Sequence, residues 1–414
     1  ICITTITTHT ELMNKSQEKI LVPQGAIKKL ILNHTAGTKK RKDFQAHYFY
    51  FLHTIKTRPY IDRRYSSGDF IPVNSDILKG IISPRQIITI KKFFVKHKVL
   101  ICNKSYKVGE VSKTYKLNIE ATGNYWLYET IEDKLLTKKI NTHKKYNMSK
   151  VKGKGKGYEI ANYWLHDIEI NYRKAYQYAH KFRAIDTEKY NAYSYSLKEL
   201  KHRKYRTLVD DNNRMHHNIS NLASVFRKHL TINGQGLGQV DISNSQPLFL
   251  FLHLTGIEGI NSQELINYGE SCLKGKFYEV IASACGIELN PETRKEFKKH
   301  VFSSIFFGRH YVELTKYETA FKTTYPTIYA YIVNMKSENG YKIISQILQK
   351  SESEFIYKAI TYIDKETGLH KIPLLAIHDC IVTTAEHVDL VCEKLKEYFV
   401  IKLEILPSLK AEVY

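Results

Sequence analysis

Cysteine is scarce in this chain of 414 residues: Cys2, Cys102, Cys272, Cys285, Cys380 and Cys392 lie far apart and form no C-x-x-C pair. Neither a zinc knuckle nor a disulfide framework is expected, and a reducing compartment is the default. Acidic residues are also in short supply, 41 against 63 Lys and Arg, which leaves a formal charge of +22. No apolar run reaches the roughly 18 to 20 residues that a spanning helix needs. The longest, around Pro247 to Leu254, is broken by His253 and followed by Gly256. A soluble, cytoplasmic chain with no membrane partner is therefore expected. The start, Ile1 to Thr5, has no basic stretch leading into an apolar core, so no secretion signal is expected there. No internal repeat is found.

What the chain does have is 43% hydrophobic and 12% aromatic residues, enough to bury sizeable cores and to exclude general disorder. The length suggests two or three domains. The positive balance points to a polyanion as partner, because each Lys or Arg set on a phosphate releases a counterion. The alternative is a Lys-rich, Tyr-rich composition imposed by an A+T-rich genome. The excess is uneven, which favours the first reading: from Lys134 to Lys156 there is no acidic residue, and Gly153, Gly155 and Gly157 alternate with the last lysines. This stretch reads as a flexible basic linker. It lacks the preceding strand and closing Lys-Ser/Thr of a phosphate loop.

Upstream, Ser83 and Pro84 open a helix running to about His97, with Ile87, Ile90 and Phe94 at helical spacing. Val99 to Ile101 and Tyr115 to Leu117 read as two strands, with Lys104, Lys107, Lys113 and Lys116 between and on them. With a short helix at Ser75 to Ile82, this pattern looks like a nucleic-acid-binding winged helix.

Three features in the second half carry chemistry. In the first, Gln239 to Ile242 approaches as a strand, Ser243 to Gln246 turns, and Pro247 begins a helix, so Asp241 sits at a strand end where a carboxylate and the Ile242 carbonyl can reach a metal. The alternative is an Asp that only caps the next helix. In the second, Pro373 to Ile377 and Cys380 to Thr384 flank His378-Asp379 as a hairpin tip, backed by an amphipathic helix through Val388, Val391, Leu395 and Phe399. In the third, a helix of about 17 residues is capped by Asn290, begun by Pro291 and ended by Gly308. Arg294 and Lys298 share one face, continued by Phe302 and Phe306, and Lys295 and Lys299 share another. Cations one turn apart repel unless an anion such as a triphosphate neutralises them; a solvated basic face is the plainer alternative.

In this order the three resemble the motifs of the polymerase I-like (family A) and phage-type single-subunit nucleic-acid polymerases. The matching residues are Asp241 with Ser243, then Lys299 followed after seven residues by Phe307 and Gly308, then His378 and Asp379. Asp210 to Met215 resembles the segment that sets Arg214 against the template-primer, with Phe226-Arg227 following it, and Gln349, Glu352 and Glu354 resemble a palm helix. The likeness covers about residues 200 to 414.

The resemblance implies an α+β fold: a right-hand polymerase, with a palm of antiparallel sheet, helical fingers and a thumb-like part, preceded by a small winged-helix-like α/β N-terminal domain. Residues 1–60 are then an unassigned extension, 61–130 the winged-helix-like domain, 131–160 the basic linker, 161–235 a helical thumb-like region, and 236–414 the palm and fingers. Two Mg²⁺ ions, with Mn²⁺ as an alternative, would be held by Asp241, Ile242 and Asp379, with His378 at the primer terminus. Arg294, Lys295, Lys298, Lys299, Gln246 and Phe307 would meet the nucleoside triphosphate. Arg214, Arg227, Gly308 and Gln349 would meet the template-primer, most simply DNA.

Some residues depart from the family pattern. Lys299 lies unusually close to Asp379 in sequence, so trimmed fingers are expected. The Arg that precedes the fingers Lys by one turn is Lys295; pairing Arg294 with Lys298 restores it but leaves one extra residue before Phe307. Cys380 stands where the DNA branch carries an acid. No Asp-x-Glu arrangement in the first half sits on a strand as a proofreading exonuclease needs. Gln246, nearly as large as Glu, and Phe307, lacking a hydroxyl, favour deoxynucleotides and hence a DNA polymerase. Gln246 as a donor to a 2′-hydroxyl, together with Cys380, leaves an RNA polymerase or primase open. A non-catalytic DNA-binding replication initiator and a metal-dependent nuclease are alternatives of other classes. A phage, plasmid or mobile element would suit such a chain.

Overall fold

The computed structural model describes residues 18–37, 44–61, 65–66, 68–73, 78, 80–103, 113–123, 125–309 and 313–414, with the backbone alone at 144–150 and 152. The chain divides into two compact units, Ile1–Asn147 with Ala179–Ser196, and Met148–Tyr178 with Leu197–Tyr414. Among the described residues, no helix is long and apolar enough to cross a membrane.

The first unit runs β1 (Lys19–Pro23), α1 (Ala26–Thr35), α2 (Gln45–Ile61), β2 (Ile71–Pro72), α3 (Pro84–Lys96), β3 (Leu100–Cys102), β4 (Thr114–Leu117), β5 (Trp126–Thr130) and most of α4 (Lys134–Lys152). One apolar core reaches from Ile20 to Ile140, so the expected boundaries at 60 and 130 do not divide it. The residues read as an unassigned extension supply β1, which pairs antiparallel with β5, and the buried Phe51 and Leu52 of α2. Helix α3 begins where expected: Ser83 and Gln86 form a reciprocal capping box and Pro84 opens the first turn. It buries Ile87, Ile90, Phe93 and Phe94. Strands β3 and β4 form the expected hairpin, with β2 as a third strand. The short helix expected at 75–82 falls mostly outside the described residues, as do Lys104 and Lys107.

The basic segment read as a flexible linker is helical. The Asp133 carboxylate accepts from the Leu135 and Leu136 amides at 2.9 Å and starts α4. Leu136 and Ile140, one turn apart, are buried in the core of the first unit. A composition rich in Lys and Gly hid this apolar pair. The glycines have specific tasks. Gly155, at φ +127°, is the N-cap of α5 (Lys156–Leu165), a conformation that costs L side chains heavily. At Gly157 a Cβ would overlap the backbone carbonyl of Tyr357, so the bare Cα is what lets these two helical segments touch. Tyr158 stacks on Tyr357 with centroids 3.6 Å apart.

The chain continues with β6 (Ile168–Ile170), α6 (Tyr172–His180), α7 (Thr187–Lys201), β7 (Thr207–Val209), β8 (Met215–His217), β9 (Leu230–Ile232), β10 (Gln235–Ile242), α8 (Ser245–Leu254), α9 (Ser262–Leu273), α10 (Phe277–Ala284) and α11 (Pro291–Val301). A π-helical segment, Phe302–Phe307, follows α11, and then come α12 (Lys316–Thr324), α13 (Pro326–Asn339), α14 (Ile343–Thr367), β11 (Leu375–Ile377), β12 (Cys380–Thr384), α15 (Val388–Leu403) and β13 (Leu409–Val413). Six strands of the second unit form one antiparallel sheet in the order β11-β12-β10-β9-β6, with β13 also on β10. The region expected as a separate helical thumb, 161–235, thus supplies β6 and β9 to the same sheet as β10. Residues 179–196 fall in the first unit instead.

Candidate active site

β10 carries Asp241 one residue before its end, opposite Cys380 of β12 on one side and Lys410 of β13 on the other. β11 and β12 are buried along their length, as an inner hairpin of apolar runs should be. Ile377 pairs with Cys380, which leaves His378 and Asp379 as a two-residue turn. His378 takes φ 57°, the left-handed conformation such turns favour. Two adjacent strands therefore bring Asp241 and Asp379 together: their carboxylates and the Cys380 thiol lie within 4.8 Å of one another.

Burial raises both carboxyls above the usual range. At Asp379 the charges of Glu352 and Asp241 add to a large rise; at Asp241 the nearby Lys298, a bond from Cys380 and Lys410 work against it. Burial, then the two carboxylates, also push the Cys380 thiol well up. The Sγ lies 3.1 Å from the Ile377 carbonyl.

A cavity of about 320 Å³ opens on this pair. Asp241, Ile242, Asp379, Gln246, Arg294 and Lys298 all line it. Phe302, expected on the row of Arg294 and Lys298, lines it too, as does Tyr278, which sequence reasoning missed. Helix α11 begins with Asn290 and Pro291 as expected, and Asn290 forms a capping box with Thr293. Arg294 and Lys298 stand over the Tyr278 ring at 5.8 and 4.7 Å from its centroid. Arg294 donates to Glu279 at 2.6 Å, so the row of cations is partly neutralised within the chain. Burial lowers the Lys298 ammonium and so does Arg294, while Asp241 and Asp379 pull it back up.

Lys295 and Lys299 are exposed and do not line this cavity; Lys299 pairs with Glu296 at 2.9 Å. Of the two pairs, Arg294 and Lys298 are the one that lines the cavity. The extra residue before Phe307 coincides with the π segment, whose i→i+5 bonding takes up one more residue per turn than an α-helix. The expected α-helical row Arg294, Lys298, Phe302, Phe306 is broken: Phe306 is buried, and half-buried Phe307 lies 5.3 Å from Phe302, centroid to centroid.

The remaining expected residues belong to networks around the cavity. Buried Glu352 of α14 accepts from Arg214, from the Gln246 amide and from Ser245 Oγ at 2.8 Å. A carboxylate has no proton to give, so the Gln246 amide nitrogen is committed to Glu352 and the side chain is held back against α14. Gln349 accepts from Asn212 at 2.9 Å. Arg227 donates to Gln239 at 3.2 Å, on the strand face that Asp241 shares. Gly308 offers its carbonyl to Lys336 at 2.9 Å. The helix expected to begin at Pro247 starts two residues earlier, at Ser245.

His378 lies 6.3 Å from the His216 ring, and burial together with Arg214 and neighbouring His216, His217 and Arg227 hold it down to about 4. Buried His217 donates from Nε2 to the Ala376 carbonyl at 2.8 Å and accepts at Nδ1 from the Ser220 amide at 3.3 Å. The neutral ring thus has both nitrogens satisfied, and burial keeps it neutral down to about 4. It ties β8 to β11 just before the His378-Asp379 turn. Glu352 had one legible signal: it falls on the apolar row Leu348, Phe355, Ile356 of α14, where a charge needs a partner. Tyr278 had none.

No protein-family model matches the chain, and no curated protein is similar to it. Among solved structures it is similar to the POL domain of Pol1 from M. smegmatis in complex with DNA primer-template and dNTP, at 13% identity and a TM-score of 0.39. That match covers 58% of this chain and 55% of the other, so the chain spans about half of that structure's length. A likeness of this size leaves the function to be argued from the site itself.

Proposed function

We propose that the second unit catalyses template-directed nucleotidyl transfer, extending a primer with nucleoside triphosphates, with DNA synthesis from dNTPs as the expected form. One observation carries the reading: Asp241, near the end of β10, and Asp379, in the turn between β11 and β12, line the same cavity as Arg294 and Lys298. Two carboxylates raised by burial and by neighbouring carboxylate charge are a natural seat for divalent cations, and their hard oxygen donors, with the Ile242 carbonyl, suit Mg²⁺ or Mn²⁺. When bound, such ions supply Lewis-acid activation of the primer 3′-hydroxyl and charge neutralisation of the leaving pyrophosphate.

The residues of the chain do the rest. Asp241 and Asp379 would hold the cation charge where β10 and the β11–β12 turn meet. Lys298 and Arg294 bind the triphosphate, with the Tyr278 ring beneath fixing their height. Phe302 and Phe307 offer faces on which a base can stack. Gln246, drawn back by Glu352, bounds the cavity beside α8. Arg227 and His378 are assigned to contact with the primer-template. Arg214, paired with Glu352, positions that network rather than reaching a groove. In the transfer the 3′-hydroxyl gives up its proton to solvent, its oxygen forms a bond to the α-phosphorus, the bond from that phosphorus to the bridging oxygen of the β-phosphate breaks, and pyrophosphate leaves.

The first unit suits duplex binding. Helix α3 turns Arg85, Lys92 and Lys96 to solvent, and no acidic residue occurs from Pro84 to Gly109. The test is extension of a labelled primer-template with Mg²⁺, comparing dNTPs with NTPs. Extension with dNTPs that Asp241→Ala and Asp379→Ala each abolish is the expected result. Preference for NTPs would move the chain to RNA synthesis. Tight duplex binding without extension would favour the initiator alternative, and degradation of the labelled strand without nucleotides would favour a nuclease.

A further inference from the structure

Lys336 of α13 continues the buried row of Ile328, Tyr329 and Ile332 and is itself only 7% exposed. A buried ammonium costs several kcal/mol unless it is well bonded, and a Met or Leu would fill the same space without that cost. What the lysine adds is a pair of directed donors. Its Nζ gives hydrogen bonds to the Ile305 carbonyl at 2.7 Å and the Gly308 carbonyl at 2.9 Å. Both acceptors lie at the end of the π segment, where helix carbonyls lack internal partners. The chain is tightly folded there: a Cβ on Gly308 would overlap the Ser303 carbonyl oxygen. Buried Glu318 is the nearby counter-charge, and it is already engaged in capping α12 through Thr315.

This π segment decides which aromatic rings accompany the cations. Phe302, one turn beyond Lys298, lines the cavity; Phe306 is turned into the core against Phe277 and Phe321; Phe307 lies beside Phe302. A relaxation to plain α-helix would advance every residue after Phe302 by about one position. We propose that Lys336 is a positioning residue for nucleotide binding: by holding the Ile305 and Gly308 carbonyls it keeps the π turn, and with it the Phe307 ring, beside Phe302 and in register with Lys298. This rests on the nucleotidyl-transfer reading above.

The test compares the whole wild-type chain with Lys336→Met and Lys336→Arg by three measurements: amide hydrogen exchange across 302–308, the KM for dATP and kcat in primer extension, and thermal melting. The expected result for Lys336→Met is exchange at least ten-fold faster in that segment and a KM raised about ten-fold with kcat changed far less, both largely restored in Lys336→Arg. Unchanged exchange in Lys336→Met overturns the inference. So does faster exchange or a lower melting temperature with wild-type KM, since the lysine would then be only a packing element. A wild-type chain that neither binds dATP in equilibrium dialysis nor extends a primer overturns the reading beneath, and the inference with it; that failure is told apart because it shows before any substitution is made.

Discussion

The two units treat charge in opposite ways. In the first, the core is apolar and cations sit at its margin over aromatic faces: Lys91 lies 5.0 Å from the Tyr115 centroid and Lys116 4.9 Å from that of Phe70. Among the described residues, Glu18 is the first unit's one buried carboxylate, whereas the second unit buries Glu199, Glu264, Glu318, Lys336, Glu352 and Asp364. Charge placed at a wetted surface contributes little to stability and is free to meet a polyanion. Charge placed inside must be bonded, and in doing so it fixes neighbours: Glu352 holds Arg214, Ser245 and Gln246, and Lys336 holds the π turn. The difference teaches where to expect strong and weak effects of substitution.

The largest effect should come from Glu352→Ala, which strands Arg214 without its counter-charge. A loss of about 3 to 5 kcal/mol in denaturant unfolding is expected. Replacing both, as Arg214→Met with Glu352→Leu, should recover most of the stability; a loss under about 1 kcal/mol in the single variant would mean the knot is not tight. Next in size, Lys298→Ala should raise the nucleotide KM about 10- to 100-fold, the worth of one charge-assisted bond, while Lys299→Ala stays within about two-fold. Equal effects at the two positions would undo the assignment of register.

His217 sharpens the contrast through pH. Its ordinary value of 6.5 falls to about 4 in the folded chain. Above 6.5 neither state is protonated there. Below it the unfolded chain takes up a proton that the folded chain refuses until about 4, so stability drops as the pH falls through this window, by about 1.4 kcal/mol per pH unit. His217→Gln should flatten that part of a stability-against-pH curve, and a curve unchanged by the substitution would count against the neutral ring. The smallest effects belong to the first unit. Arg85→Gln, Lys92→Gln and Lys96→Gln should each lower the slope of log affinity for duplex DNA against log salt by about 0.9, with unfolding free energy nearly unchanged. A salt slope unmoved by all three would place duplex binding elsewhere.

Strand β10, the β11–β12 hairpin and their two carboxylates were legible because strands announce themselves locally, by β-prone runs on both sides of His378-Asp379 and a strand, turn and helix around Asp241; β6, β9 and β13 were not expected. The start of α11 was legible through Asn290 and Pro291. Its continuation was not, because a π turn replaces one hydrogen-bond pattern by another without a distinctive residue type, and so Lys299 looked better placed than Lys298. The helical α4 was masked by its lysines, and Gly157 suggested looseness where it permits close approach. Sequence reasoning reached Glu352 only as part of a palm-like helix and missed Lys336, yet each is a single charge on an apolar helical row, a mismatch that signals a buried partner. The site therefore depends on residues whose chemistry shows only once the row they interrupt is known to be inside.

β10 is hydrogen-bonded on both flanks over Gly238 to Asp241, to β12 on one side and β13 on the other. The mechanical consequence is a division of labour in kinetics. A strand clamped along both edges is a stiff datum for Asp241, beside the turn that carries Asp379, and alterations in the sheet should register as changes in turnover. The helical wall bearing Arg294 and Lys298 has no such double clamp and ends in a turn held by one ammonium. Alterations there should register as changes in affinity, which makes substrate preference the more readily tuned of the two properties.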